Sequence, residues 1–275
     1  MPELPEVEVL RRSLAPRLIG RRIERVEVRA PALREPLDRR TLARRLTGRS
    51  VLGLRRRSKY LLVDVDGGST FVVHLGMSGR LTLAPAATPF EPHEHLSLAL
   101  DGEERLRLRD PRRFGVAFAA ATAGLLEGDP HFALLGREPL EPPVTGAELA
   151  RLAAGRSAPV KAFLMDAHLL VGVGNIYATE ALYRAGIHPA RSVARIGLER
   201  WERLAAAVVA VLEQAIREGG TTLNDFTDGA GNEGYFQVSL SVYGREGEPC
   251  ARCGTPVRRL VQSNRSSFYC PRCQR

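Results

Sequence analysis

Lysine is almost missing from this chain. It occurs only at Lys59 and Lys161, against 38 arginines. Shared GC-rich codons for Arg and Ala account for most of that imbalance, but not for the two lysines that remain. Long hydrophobic runs are missing too. The longest, Leu204 to Leu212, is far short of the about 20 apolar residues that cross a bilayer. A basic leader followed by an apolar stretch is also absent: the chain opens on Glu3, Glu6 and Glu8, which does not read as a secretory signal. Cysteine does not occur before Cys250. Acidic residues are outnumbered 31 to 40, which leaves a formal charge of +9 and an isoelectric point near 10. Such a balance favours a polyanionic partner: DNA, RNA or an anionic membrane surface. Charge alone does not choose among them. No segment combines a basic face with a large apolar one, which disfavours the membrane surface. With 44% hydrophobic and 26% charged residues, the 275-residue chain is globular. Its length allows one large domain or two ordinary ones.

What is present divides by periodicity. Leu4, Val7, Leu10, Leu14 and Leu18 recur at helical spacing, and Pro2 and Pro5 suit a helix start. Glu3 and Glu6 share a face near the positive end of that helix. From about 22 to 119 the period becomes two. Candidate strands cover 23–29, 60–65, 71–75, 80–83, 95–100, 105–109 and 116–119, with hairpin signals at Asp66-Gly67-Gly68 and Asp101-Gly102. Short strands in this number predict a β-sandwich or barrel. Gly136, Pro139, Pro142, Pro143 and Gly146 mark a linker over 136–146. Helices are expected beyond it, at about 146–154, 159–168, 175–185 and 195–218. The last carries Trp201, Leu204, Val208, Val211, Leu212 and Ala215 on one stripe and stops at Gly219-Gly220. Residues 221–236 read as a long polar loop.

All four cysteines lie in the last 26 residues, as Cys250-x2-Cys253 and Cys270-x2-Cys273. Two such knuckles supply four soft thiolates for one tetrahedral zinc ion, and four thiolates leave no open position for catalysis, so the zinc is structural. Two disulfides or a redox pair are the competing reading. The lack of a secretory signal and of a fifth cysteine argues against it. Arg258, Arg259, Arg265, Phe268 and Tyr269 lie between the knuckles and suit contact with nucleic acid.

Several motifs, taken in order, resemble one family. Met1-Pro2-Glu3-Leu4-Pro5-Glu6-Val7-Glu8 opens the chain, and His74-Leu75-Gly76-Met77-Ser78-Gly79 and Asp110-Pro111-Arg112-Arg113-Phe114-Gly115 follow. Then come Gly172-Val173-Gly174-Asn175-Ile176-Tyr177, Gly234-Tyr235-Phe236-Gln237 and Tyr243-Gly244-Arg245, leading into the cysteines. Each is moderate alone. Together they resemble the formamidopyrimidine-DNA glycosylases, bacterial enzymes that remove oxidised purines, across residues 2 to 274.

The resemblance implies an α+β fold: an N-terminal helix and β-sandwich over 1–135, a linker over 136–146, and a helix-two-turn-helix domain over 147–244. It places a lesion-covering loop at 221–236 and a zinc finger at 245–275. It also implies base excision followed by β- and δ-elimination. The residues support that chemistry independently. Loss of Met1 exposes the secondary amine of Pro2, and an α-amino group titrates near pH 8, about two units below lysine. Such an amine can attack an anomeric carbon and form an iminium with the opened sugar. Glu3 is the natural proton shuttle beside it, and Glu6 a positioning residue. Lys59 is implied beside the scissile phosphates. Met77, Arg112 and Phe114 match side chains that enter the DNA stack when a base is extruded. His74, Lys161, Asn175 and Arg265 match DNA contacts. The bland alternatives are a core Met77 and Phe114, a satisfied His74 and a solvated Lys161.

Two departures stand out. Thr179 occupies a position where the family commonly has aspartate, and the inner residues of 224–233 are not the commonest ones, which bears on lesion preference. Two other readings remain open. One is an endonuclease VIII-like enzyme for oxidised pyrimidines; the other is a damage-binding protein without catalysis. The expected partner is duplex DNA with oxidised bases or abasic sites, and the expected cofactor is one zinc. A monomer in the cytoplasm, associated with the nucleoid through DNA, is the default.

Overall fold

The computed structural model describes residues 2–221 and 240–275. They fall into two compact units, residues 2–133 with 218–221 and residues 134–217 with 240–275.

The first unit begins with helix α1 (Leu4–Leu18), where the apolar spacing predicts it. All five stripe residues are at most 1% exposed. Two antiparallel four-stranded sheets follow. One contains β1 (Ile23–Val28), β5 (Arg80–Pro85), β6 (Glu94–Leu100) and β7 (Glu104–Arg109), in the order β1-β6-β7-β5. The other contains β2 (Val51–Arg57), β3 (Tyr60–Val65), β4 (Ser69–His74) and β8 (Val116–Ala121), in the order β2-β3-β4-β8. One core takes side chains from α1, from both sheets and from helix α2 (Arg39–Leu46). Each fully buried Leu or Val there contributes about 1.5–3 kcal/mol. A short helix, α3 (Leu125–Gly128), precedes the end of the unit.

The two predicted hairpin turns join β3 to β4 and β6 to β7, with Gly67, Gly68 and Gly102 at φ +71°, +68° and +73°. Two elements carry little sequence signal. Helix α2 has only Leu42 and Leu46 as apolar anchors. It starts because the Asp38 side chain accepts the N–H groups of Arg40 and Thr41. Strand β2 lacks clean alternation because a bulge falls between Val51 and Gly53. Its run of arginines is held from across the sheet, where the Arg55 guanidinium makes a two-pronged pair with Asp64 at 2.5 and 2.8 Å.

The second unit is built on helices α4 (Gly146–Ala153), α5 (Val160–Leu164), α6 (Asn175–Ala185) and α7 (Leu198–Arg217). The predicted stripe of α7 is buried throughout, and Trp201 meets Phe163 edge-on at 5.4 Å. Residues 136 and 137 do not hang free. The N–H groups of Gly136 and Arg137 donate to Ala167 and Leu169, and Arg137 accepts from Val171. The unit ends in a hairpin, β9 (Arg258–Gln262) and β10 (Arg265–Tyr269), turned by Ser263 and Asn264 at φ +46° and +60°. Of the loop read at 221–236, only Thr221 lies within the described residues.

Candidate functional site

The start of α1 concentrates buried acid. Pro2 is buried, and Glu3 and Glu6 are 2% and 1% exposed. Glu3 is the N-cap in extended conformation, and Glu6 completes a capping box with it. The N–H of Glu3 donates to Glu6 Oε2 at 2.8 Å. Glu6 Oε1 accepts from the N–H of Thr221 at 3.0 Å and from its hydroxyl at 3.1 Å. Glu6 is thus fixed from two sides. Thr221 is the partner that sequence reading misses, because 215 residues separate the pair.

Lys59 occupies, with Ser58, the two-residue turn between β2 and β3, and Ser58 takes φ +55° to make it. Register then fixes its surroundings. Tyr60 lies opposite His74 on β4, with the rings 4.8 Å apart. His74 Nδ1 accepts the N–H of Gly76 at 3.1 Å, so its proton belongs on Nε2. Burial, then the neighbouring charges of Lys59 and Arg34, push its pKa down to about 3. At neutral pH His74 is an uncharged donor beside a cationic Lys59. Behind Tyr60, His131 is held between Asp129 at 2.7 Å and Glu35 at 3.1 Å and stacks on Phe118 at 4.8 Å.

Met77 and Phe114 stand out from the same unit at 40% and 41% exposure. The Arg112 guanidinium lies 4.7 Å from the centre of the Phe114 ring. The bland expectation for this Met and Phe, a place in the core, does not hold.

In the second unit, Asn175 opens α6 after Gly174, and its side-chain amide donates to the Tyr243 hydroxyl at 3.3 Å. Tyr243 is itself placed by Glu180. That carboxylate, 1% exposed, accepts the N–H groups of Ser241, Val242 and Tyr243 at 2.9–3.0 Å. Thr179 donates back to the Asn175 carbonyl at 2.7 Å, a local bond within the helix. Arg265 is exposed at the tip of the β9–β10 hairpin. Lys161 differs from the solvated residue that its helix suggests. It is 2% exposed, and its ammonium donates to Ser266 O at 2.9 Å and Ser267 Oγ at 2.7 Å.

The four cysteine sulfurs lie within 4.8 Å of one another. Cys253 and Cys270 are 3.5 Å apart, Cys250 and Cys273 4.0 Å. Zn–S bonds of about 2.3 Å give tetrahedral sulfur–sulfur edges near 4 Å, whereas a disulfide is about 2 Å. Gly254, at φ +71°, closes the first knuckle by donating to Cys250 O at 2.8 Å. The N–H of Cys273 points at Cys270 Sγ at 3.4 Å. The cluster fits a single structural zinc.

Known proteins match the whole of this layout. Three family models fit in succession: the formamidopyrimidine-DNA glycosylase N-terminal domain over residues 1–117, the H2TH domain of the same glycosylase over 135–227, and the zinc finger found in FPG and IleRS over 247–275. The formamidopyrimidine-DNA glycosylase of Methylococcus capsulatus is 50% identical over 275 residues, covering all of both chains. The chain belongs to the formamidopyrimidine-DNA glycosylase family. Solved structures of this family agree in fold. A Lactococcus lactis FPG mutant, in complex with a Fapy-dG containing DNA, has a TM-score of 0.92 at 31% identity over all of both chains. The Lactococcus lactis Fpg with abasic-site DNA has a TM-score of 0.91 at 31% identity over 99% of each chain.

In this member of the family the residues singled out from the sequence lie in separate stretches, and each unit gathers its own share. In the first unit, Glu6 binds Thr221 and the N–H of Glu3, next to Pro2, and the charge of Lys59 acts on His74. In the second, Asn175 meets Tyr243, and Lys161 meets the finger hairpin. Glu180 and Thr221 carry no motif that marks them, and Tyr243, within Tyr243-Gly244-Arg245, is given no role by the sequence. Among the described residues, no helix is long and apolar enough to cross a membrane.

Proposed function

We propose that this DNA glycosylase excises oxidised purines from duplex DNA and then cuts the strand at the resulting abasic site. The observation that carries the reading is the start of α1. There Pro2 adjoins two carboxylates almost wholly withdrawn from water, one of them fixed by Thr221. After removal of Met1, the Pro2 amine attacks C1′ of the damaged nucleoside. The C1′–N bond breaks and the base leaves, taking a proton. Glu3 protonates the ring oxygen as the sugar opens, which leaves an iminium joining Pro2 to C1′. The iminium acidifies the C2′ hydrogen. Its loss expels the 3′ phosphate, and a second elimination expels the 5′ phosphate. Water then releases Pro2.

Around that centre, Lys59 supplies a compact ammonium beside the scissile phosphates. His74 donates a neutral N–H to a phosphate oxygen. Met77, Arg112 and Phe114 fill the space that the extruded base leaves. Asn175 and Arg265 hold the backbone, and Lys161 acts at one remove by shaping the hairpin that presents Arg265. Cys250, Cys253, Cys270 and Cys273 hold the zinc, which cross-links the finger and takes no part in the reaction. The DNA complexes of the Lactococcus lactis relatives support duplex DNA as the substrate. The inner loop residues 224–233, read above as bearing on lesion preference, lie outside the described residues.

Two assays test this reading. Duplexes carrying 8-oxoguanine opposite cytosine and thymine glycol opposite adenine are compared; faster turnover of thymine glycol overturns the purine assignment. Borohydride trapping on 8-oxoguanine DNA is expected to give a covalent adduct that Pro2→Gly abolishes. No adduct from wild-type protein that mass analysis shows to start at Pro2 would return the chain to a binding role.

A further inference from the structure

Met77 stands on a loop over 75–79, after β4. Arg112 and Phe114 stand on a loop over 110–115, between β7 and β8. A buried polar pair joins the two. Asp110 is 0% exposed and Ser78 6%. The Ser78 hydroxyl donates to Asp110 Oδ1 at 2.7 Å and accepts the N–H of Arg112 at 3.3 Å. Asp110 Oδ2 accepts the N–H of Gly115 at 2.8 Å, and its carbonyl accepts from Arg113 N–H at 3.2 Å and His95 Nε2 at 2.9 Å. The backbones also touch. A Cβ on Gly76, whose φ is +64°, would lie 2.4 Å from the carbonyl carbon of Phe114.

One hydroxyl therefore sits directly after Met77 in sequence and bonds directly to the amide of Arg112. A buried carboxylate is stable only when its oxygens are satisfied, so Asp110 holds Ser78 and Gly115 firmly. The outcome is that the three exposed side chains ride on one preorganised frame. Side chains that are already placed lose less freedom on entering a gap in the base stack.

We infer that Ser78 and Asp110 are positioning residues for base extrusion: they fix Met77 against Arg112 and Phe114 so that the three enter the DNA as a set. The inference rests on the proposed function, in which those three fill the vacated space. It concerns extrusion and not the chemistry at Pro2, and this gives it a distinct signature. Ser78→Ala removes the donor to Asp110 and the acceptor for Arg112. Single-turnover excision of 8-oxoguanine is expected to fall about tenfold. Cleavage of a ready-made abasic site in the same duplex has no base to unstack, and is expected to change by less than about threefold. Asp110→Asn preserves shape and is expected to show the same split. In a Met77→Ala background, Ser78→Ala is expected to add little, because both substitutions act through one insertion.

Equal losses on both substrates, additive with Met77→Ala, would show that the pair only holds the fold together and would overturn the inference. So would unchanged excision by both variants. A wild-type protein that excises no damaged base at all would instead overturn the underlying reading, and this shows before any substitution is made.

Discussion

Lys59 and His74 are a pair whose properties follow from register. The turn at Ser58 and Lys59 starts β3, and the β3–β4 ladder then sets Tyr60 opposite His74. The two cations near His74, together with burial, keep its ring neutral, so the local positive charge rests on Lys59 and Arg34. An ammonium is compact and titratable; a guanidinium is planar, broad and permanently charged. Lys59→Arg is therefore expected to lower single-turnover activity on 8-oxoguanine more than it lowers affinity for the same duplex, as gel-shift and quenched-flow measurements would show. Near-normal excision would reduce Lys59 to a surface charge. His74 makes a separate prediction. The unfolded chain takes its proton near pH 6.5, whereas the folded ring resists until about 3. A folded-state pKa below the unfolded value gives stability that is complete above about 6.5 and is lost as pH falls toward 3. Urea midpoints measured from pH 6.5 to 5 are expected to decline, and His74→Gln is expected to flatten that decline. Gln can still accept the Gly76 N–H but takes up no proton.

Elements differ in how visibly the sequence writes them. Helices α1 and α7 are legible because one continuous apolar stripe does all the packing. Strand β2 and the β9–β10 hairpin are not. The first is interrupted by a bulge, and the second has exposed or half-buried residues on most of its length. The hairpin is held instead at its base by the cysteine cluster and along its side by Lys161. Chelation of the zinc is thus expected to raise amide exchange across residues 245–275 and to weaken DNA binding, while the strands of the first unit keep their protection. Unchanged affinity after chelation would contradict this. Lys161→Met keeps the length of the side chain and removes its hydrogen bonds. Affinity for DNA is expected to drop with the slope of log K against log salt unchanged, because the ammonium is spent inside the protein. A direct phosphate contact would instead reduce that slope by about one unit.

At the scale of the whole molecule, the charge of +9 is a general attraction and not a recognition device. Each neutralised phosphate releases counterions, so binding to undamaged duplex is expected to weaken steeply and linearly on logarithmic axes as salt rises. A fluorescence-anisotropy titration at several salt concentrations checks this; a flat response would exclude a phosphate-tracking interface. Which side chains carry the effect is not readable from the count, since 38 arginines serve as ion-pair partners, helix-end charges and surface alike. Arg107 is buried against Glu94 and so is not available to DNA, whereas Arg55, paired with Asp64, stays 44% exposed.

The sequence by itself determined the parts whose signal is local. These are the apolar period of α1 and α7, the turn glycines, the four-cysteine spacing, and the ordered motifs that mark the family. Each needs only neighbours within a few residues, because helix, turn and knuckle geometry repeat at fixed short spacing. Tertiary structure alone decided what depends on distant partners. Glu6 is fixed by Thr221, Lys161 is turned inward to Ser266 and Ser267, Glu180 places Tyr243, and Ser78 joins Asp110 to the amide of Arg112. Hydrogen bonds act over about 3 Å whatever the separation along the chain. Only the packed fold brings such groups within that range, and only there does burial make them costly to leave unpaired.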